Sequence, residues 1–101
     1  MPFEIILAPE AIEDLDALKA NVRATVRDSL EAHLRHEPTK TSRSRIKRLK
    51  KMSQPQYRLR IGDVRVFYDV TEERVEVLAI LLKSEATEWL AKHGKSEPES
   101  K

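Results

Sequence analysis

The stretch YRLRIGDVRVFYDV, residues 57–70, decides the fold of this protein. Apolar and charged residues alternate on both sides of Gly62-Asp63, as they do in two half-buried strands. Glycine at the first central position of a two-residue loop suits a type II′ turn. The stretch therefore predicts a β-hairpin with strands over residues 56–61 and 64–70.

The two-residue turn determines which side chains share a face of the hairpin. Because strand side chains alternate, one face is apolar and the other carries three arginines and a phenylalanine. Arg60 lies opposite Arg65, and like charges so placed destabilise an antiparallel pair by up to roughly 1 kcal/mol, a departure that often marks a functional site. The polar face comprises Arg58, Arg60, Arg65 and Phe67. The core face comprises Tyr57, Leu59, Val64, Val66, Tyr68 and Val70.

A third strand over residues 74–82 is expected to extend this sheet. Its register follows from the short connection at residues 71–73. On this basis Leu78 and Ile80 join the arginine face. The residues expected on the core side are Val75, Val77, Ala79 and Leu81.

The segment before the hairpin predicts a strand and two helices. Residues 3–7 are apolar, and Pro9 suits the first turn of a helix. Asn21 suits the N-cap of a second helix, which ends before Pro38 because the residue preceding a proline avoids helical geometry. Apolar residues recur at three- and four-residue spacing in both helices, so the pair forms a helical hairpin with one apolar face.

The segment after the third strand predicts a last helix. Ser84 suits its N-cap, with Glu88 near the position of a reciprocal capping box, and Gly94 suits its end. Trp89 lies on the apolar stripe of this helix and is expected to pack on the sheet.

The order β-α-α-β-β-β-α indicates an α+β fold, in which a helical hairpin packs on a mainly antiparallel four-stranded sheet. A chain of 101 residues usually forms one modest core. We predict a single domain over residues 1–94 and a disordered tail over residues 95–101.

Positive charge is concentrated in one part of the chain. The net charge is only +2, with 19 Lys and Arg against 17 Asp and Glu, yet residues 40–65 carry ten bases and one acid. Such a concentration is typical of a surface that binds a polyanion, and a solvated basic loop is the alternative. The bases outside the hairpin expected to contact a nucleic-acid backbone are Arg45, Lys47, Arg48, Lys50 and Lys51.

The hairpin arginines offer planar, permanently charged forks that suit phosphate oxygens. Phe67 beside them offers a stacking surface for a base. The alternative is that they form ordinary surface ion pairs with Glu76, Asp69 or a tail acid. We call Arg58, Arg60 and Arg65 the arginine cluster.

The composition excludes several kinds of site. The chain has no cysteine, so it has no disulfide framework, cysteine-ligated metal or thiol nucleophile. His33 and His36 lie one helical turn apart without a third ligand, so we predict no metal site and no cofactor. No targeting segment or membrane span is visible, and we expect a cytoplasmic protein without membrane contact.

The hairpin YRLRIGDVRVFYDV, followed by RVEVLAILLKSEATEWL at residues 74–90, resembles the RelE/ParE superfamily of bacterial and archaeal toxins of toxin-antitoxin pairs. The resemblance extends over residues 3–92 in the order of elements. It implies a microbial-ribonuclease-like fold, a cognate antitoxin and a toxin-antitoxin hetero-oligomer. RelE-like members cleave messenger RNA in the ribosomal decoding site without a metal, whereas ParE-like members inhibit DNA gyrase.

The resemblance also implies roles for individual residues. Arg58 and Arg60 fall where the RNA-cleaving branch often has two basic residues after an aromatic, and Arg65 falls on its hairpin arginine. Lys83 lies near its basic residue after the last strand, and Trp89 near its C-terminal catalytic tyrosine. Tryptophan cannot donate a phenolic proton and arginine is a poor general base, which leaves Lys83 as the candidate for proton transfer.

The favoured hypothesis is a metal-independent endoribonuclease that cleaves ribosome-bound messenger RNA and so inhibits translation. Its catalytic candidates are Arg58, Arg60, Arg65 and Lys83. The alternatives are a ParE-like gyrase inhibitor without nuclease activity and a non-catalytic RNA-binding module. The basic run from Lys40 to Lys51 has its own alternative, a docking surface for an acidic antitoxin segment.

Overall fold

A five-stranded sheet forms the centre of the structure, a computed structural model that describes residues 2–98. The spatial order of its strands is β1-β6-β5-β4-β2, and a separate two-stranded ladder joins β3 to β7. In chain order the elements are β1 (Glu4–Leu7), α1 (Pro9–Ala17), α2 (Ala20–Leu34), β2 (Ile46–Arg48), β3 (Met52–Gln54), β4 (Tyr57–Ile61), β5 (Val64–Val70), β6 (Arg74–Leu82), α3 (Lys83–His93) and β7 (Lys95–Ser96).

The α+β class and the mainly antiparallel sheet are confirmed. Only β1 is parallel to its neighbour, β6, among the strands of the central sheet in residues 2–98. The sheet has five strands instead of the predicted four, because Ile46–Arg48 pair with β4 inside the basic segment. Ile46 is buried and provides the apolar anchor of this extra strand. We call residues 39–55 the basic connection.

The edge strand β2 is closed on its outer side by a serine. The Ser42 backbone N–H donates to the Ile46 carbonyl at 2.9 Å, and the Ile46 N–H donates to Ser42 Oγ at 3.2 Å. The outward backbone groups of Ile46 are therefore already paired.

The helical hairpin α1–α2 covers one face of the sheet, as predicted. The helix α2 begins at Ala20, with Lys19 and not Asn21 at its N-cap. Tyr68 in the middle of the sheet donates its hydroxyl hydrogen to the Pro38 carbonyl at 2.7 Å, which ties down the chain that leaves α2. The core between the helices and the sheet includes Ala11, Leu15, Val26, Leu30, Leu34, Leu59, Val66, Tyr68, Val75, Val77 and Ile80.

A β-bulge in β6 overturns part of the predicted register. Phe67 pairs with Ala79 but the next residue, Tyr68, pairs with Val77, so Leu78 is the extra residue. Beyond it the faces are exchanged: Ile80 lies in the core, whereas Ala79 and Leu81 share the arginine face. The predicted sides of these three residues are wrong.

An acidic side chain of α1 fixes the strand just after the bulge. Asp14 Oδ2 accepts a hydrogen bond from the Ile80 N–H at 3.0 Å. Burial raises the pKa of Asp14, and the backbone hydrogen bond partly opposes this effect. The contact joins residues 66 positions apart, which no local pattern reveals.

The last helix begins earlier than predicted, at Lys83. Glu85, and not Glu88, accepts the Leu82 N–H at its start, at 3.2 Å. After Gly94 the chain returns to the basic connection, where β7 pairs with β3. A Cβ at Gly94 would collide with the Met52 side chain and the Leu90 carbonyl, so glycine is required at this close approach.

The prediction of a disordered tail does not fit Lys95 and Ser96, which form β7. Residues 99–101 of that predicted tail lie outside the described residues. No helix among residues 2–98 is long and apolar enough to cross a membrane.

Candidate nucleic-acid interface

The arginine cluster lies on the face of the sheet opposite the helical hairpin. The register pairs Ile61 with Val64 and Arg60 with Arg65, as the two-residue turn predicts. Gly62 has a φ of 56°, which a residue with a side chain adopts only at a cost. The turn therefore fixes the backbone positions of the two opposed arginines.

Arg58 is a half-buried cation without a counter-ion. Its Nε atom is buried and has no hydrogen-bond partner among residues 2–98. Burial, followed by the charges of Arg65 and Arg60, lowers the pKa of Arg58. An unpaired buried donor is costly, and a bound anion would satisfy it.

Within residues 2–98, the structure does not show the alternative of ordinary surface ion pairs at the cluster. Within the described part of the chain, no cluster arginine forms an ion pair with an acid. Asp69 is occupied instead by two other donors, the Gln56 N–H at 2.8 Å and Gln54 Nε2 at 2.9 Å. The cluster is thus a local excess of positive charge.

The cluster arginines differ in their freedom to move. Arg65 is only 6% exposed, and its Nη1 donates to the carbonyls of Gly62 at 2.8 Å and Val64 at 3.1 Å. Arg60 is exposed. Arg65 therefore supplies a fixed charge that also holds the turn, whereas Arg60 is free to follow a ligand.

The sheet brings one residue of the basic connection to the cluster. Lys47 pairs with Arg58 across β2 and β4, so the two side chains share a face. This neighbour was missed from the sequence as part of the cluster, because a three-residue strand in a basic segment has no detectable period.

The Arg48 side chain contacts the backbone of the protein itself. Its Nη1 donates to the carbonyls of Leu49 at 2.9 Å, Met52 at 3.3 Å and Gln56 at 2.9 Å. Its guanidinium lies 5.5 Å from the centre of the Tyr57 ring and its Nη2 lies 3.6 Å from Glu97. Arg48 therefore organises the basic connection, and its contact with a nucleic-acid backbone stays a prediction.

The other predicted bases of the connection remain exposed. Lys50 and Lys51 lie between β2 and β3, and Arg45 precedes β2. Lys51 has a φ of 61°, which marks a tight reversal of the chain.

Phe67 has no face open to a base. It is 1% exposed, and the Trp89 ring stacks on it with centroids 5.3 Å apart and planes 4° from parallel. Trp89 thus packs on the sheet as predicted, and this packing corrects the assignment of Phe67 as a base-stacking residue.

Lys83 lies at the turn end of the cluster. Its backbone N–H donates to the Asp63 carbonyl at 2.7 Å. Its side chain is exposed beside a cavity of about 620 Å³ that Asp63, Ser84 and Thr87 also line. Among residues 2–98 no group of three His, Asp or Glu side chains is placed to bind a metal ion.

Solved structures of known proteins share this fold. The toxin-antitoxin complex RelBE2 from Mycobacterium tuberculosis matches with a TM-score of 0.69 and 21% identity, over 81% of this chain and 99% of that chain. The RelE-RelB complex from Pyrococcus horikoshii OT3 matches with a TM-score of 0.62 and 22% identity, over 82% and 97%. The RelB-RelE complex from Methanococcus jannaschii matches with a TM-score of 0.56 and 15% identity, over 83% and 96%.

A sequence family completes the comparison. Residues 5–87 match the family of the ParE toxin of the type II toxin-antitoxin system parDE. No curated protein matches the chain significantly. The fold and the cationic hairpin define a toxin of the RelE/ParE superfamily. Within that superfamily, the chain belongs to the ParE toxin family of type II toxin-antitoxin systems.

Proposed function

We propose that this toxin is a metal-independent endoribonuclease that cleaves ribosome-bound messenger RNA in the cytoplasm and so inhibits translation. A cognate antitoxin, in a toxin-antitoxin hetero-oligomer, would hold it inactive. The observation that carries the proposal is the buried Nε of Arg58, which has no acceptor within residues 2–98 and lies near two further guanidinium groups. A phosphate oxygen supplies both the missing acceptor and the missing negative charge.

The proposed reaction is attack of the 2′-hydroxyl on the adjacent phosphate. It forms a 2′,3′-cyclic phosphate, breaks the bond to the 5′ oxygen of the next nucleotide and releases the 2′-hydroxyl proton to solvent. Negative charge builds up on the phosphate oxygens in the transition state, and preorganised cations stabilise it there. Arg65 is held by the carbonyls of Gly62 and Val64, so it needs no reorganisation during the reaction.

Proton transfer has fewer candidates than charge stabilisation. The arginines remain protonated and are poor bases. Lys83, at the turn end of the cluster, is the candidate that protonates the departing oxygen or stabilises its charge. Cleavage then rests mainly on electrostatic stabilisation and on alignment of the substrate by the ribosome.

The test is expression of the toxin without its antitoxin, followed by growth measurement and primer-extension mapping of cellular messenger RNA. Arg60→Ala and Arg65→Ala should both reduce growth arrest and cleavage. Arg74→Ala removes an exposed arginine at the start of β6 and is the matched control. Circular dichroism checks the fold of Arg65→Ala, which also loses two backbone contacts. Undiminished cleavage in both cluster variants would refute the site.

A second candidate function is inhibition of DNA gyrase without cleavage. The matched family is described as the parDE toxin, and Trp89 offers no phenolic proton. A gyrase supercoiling assay separates the two functions, because a gyrase inhibitor reduces supercoiling in the absence of ribosomes. If the protein affects neither process but binds RNA with a steep salt dependence, it is a binding module instead.

A further inference from the structure

A second concentration of positive charge surrounds a cavity at the β2 edge of the sheet. The cavity has a volume of about 250 Å³ and lies where the end of α2 meets the start of the basic connection. The lining residues that matter here are His33, Glu37, Lys40, Thr41, Ser42 and Arg45.

The lining suits a tetrahedral oxyanion. Lys40 and Arg45 provide two cations, and Thr41 and Ser42 provide hydroxyl groups. Ser42 Oγ already accepts hydrogen bonds from the N–H groups of Arg45 at 3.0 Å and Ile46 at 3.2 Å. Its own hydroxyl hydrogen is therefore free to donate to a ligand.

One acid opposes these groups. Glu37 lies 3.2 Å from Lys40 Nζ, and both side chains are largely exposed. An exposed pair of this kind contributes little and is readily exchanged for another anion. The remaining cation, Arg45, has no acid partner within residues 2–98.

The cavity adjoins the arginine cluster. The Arg60 N–H donates to the Arg45 carbonyl at 2.8 Å, so Arg45 lies one strand, about 4.8 Å, away from Arg60. Lys47 and Arg58 form the next pair along the same two strands. Positive side chains therefore continue from the cluster around the sheet edge to the cavity.

The charge of Arg45 affects the pKa of His33, which also lines the cavity. Burial, and then the charge of Arg45, lowers the pKa of His33. An anion bound beside His33 would have the opposite effect on its pKa. The pKa of the His33 imidazole therefore reports the binding of an anion.

We propose that this cavity is a second phosphate subsite, which binds a backbone phosphate of the RNA strand whose scissile phosphate contacts the arginine cluster. The inference rests on the proposed function, since it concerns the same substrate. An acidic antitoxin segment is the competing occupant. The presence of two cations and two hydroxyl-bearing residues around one cavity, one strand from the cluster, favours the RNA. The RNA would then cross β4 and β2 and bend around the sheet edge.

The first test measures the salt dependence of RNA binding. The probe is a 2′-O-methyl single-stranded RNA, which cannot be cleaved, and binding is followed by fluorescence anisotropy. For wild type, log Kd should depend linearly on log salt concentration. Lys40→Gln combined with Arg45→Gln should reduce the slope by about 0.7, the value for one phosphate contact of a single strand. Lys19→Gln combined with Lys92→Gln, both exposed and outside this surface, should leave the slope unchanged.

The outcomes separate the two proposals. Failure of wild type to bind the RNA contradicts the proposed function and removes the subsite with it. Wild-type binding with an unaltered slope in the Lys40/Arg45 variant contradicts the subsite alone. Loss of antitoxin affinity in that variant, with RNA binding intact, would assign the cavity to the antitoxin.

The second test observes His33 directly. Its pKa is followed by NMR in the free protein, with the 2′-O-methyl RNA and with inorganic phosphate. The proposal requires an upward shift with the RNA that disappears in the Lys40/Arg45 variant. A shift with inorganic phosphate but none with the RNA would indicate a free-phosphate site and overturn the proposal.

Discussion

The arginine cluster and the basic connection are both rich in positive charge, but they use it differently. In the hairpin, Arg65 donates to two carbonyls at the turn, whereas the buried Nε of Arg58 in mid-strand has no hydrogen-bond partner within residues 2–98. Where the chain turns between β2 and β4, Arg48 donates to the carbonyls of Leu49, Met52 and Gln56. Carbonyls at the turns therefore engage Arg65 and Arg48, whereas Arg58, away from any turn, is left available to a ligand.

The largest expected difference between the two regions concerns Arg58. Arg58→Gln should lower the rate of ribosome-dependent cleavage by about 100-fold or more, the loss typical of removing one group that stabilises transition-state charge. Lys50→Gln, the matched change in the connection, should alter the rate by much less, because Lys50 is an exposed phosphate contact at most. The measurement is primer extension on programmed ribosomes. Equal losses in the two variants would show that the regions are equivalent.

Arg48 tests the structural side of the comparison. Arg48→Ala should reduce the free energy of unfolding by about 1–2 kcal/mol, because three carbonyls lose a charged donor. Urea denaturation gives the value, with Lys50→Ala as the control expected to remain within about 0.5 kcal/mol of wild type. An unchanged midpoint for Arg48→Ala would mean that water replaces these hydrogen bonds without cost.

A third experiment asks whether the cluster is retained at the expense of stability. Arg58→Met keeps the apolar stem and removes a desolvated charge that is repelled by Arg60 and Arg65. This variant should unfold at the same or a higher urea concentration than wild type while losing toxicity. A clear loss of stability would indicate that Arg58 supports the fold.

The smallest expected effect concerns pH. The pKa of His33 is lowered from 6.5 in the folded protein, so the unfolded chain binds its proton more tightly. The stability that His33 contributes is therefore complete above pH 6.5 and is lost as the pH falls from 6.5 through the folded value. His33→Gln should flatten this part of the stability curve. Arg45→Gln should weaken the dependence of stability on pH. An identical pH dependence in wild type, His33→Gln and Arg45→Gln would contradict this prediction.

Local patterns were sufficient to predict the hairpin and the order of the main elements. The turn at Gly62-Asp63 and the period of two predicted the pairing of Arg60 with Arg65, which is observed. The bulge at Leu78 was not predictable from the period of two, and the Asp14 hydrogen bond to the strand after it comes from another part of the chain. The strands β2 and β3 are too short to produce a period.

For the candidate site, the sequence predicted which arginines share one face of the hairpin, but not which groups each of them contacts. Residue type and spacing could not distinguish Arg48, which contacts carbonyls, from Lys47, which lies beside Arg58. The stacking of Trp89 on Phe67 could not be predicted from the sequence either, because it depends on where α3 crosses the sheet.

The serine that closes β2 limits how another chain can extend the sheet. A strand added at that edge would have to break the two hydrogen bonds between Ser42 and Ile46. At the opposite edge, the N–H groups of Glu4 and Ala8 donate to the carbonyls of Glu73 and Val77. Because successive N–H groups of a strand point to opposite sides, the N–H groups of Ile5 and Leu7 point outward. Strand addition by a binding partner therefore has a low-cost route at β1 and a blocked route at β2. Arg45 and Lys47 thus lie at the edge that is protected from strand addition.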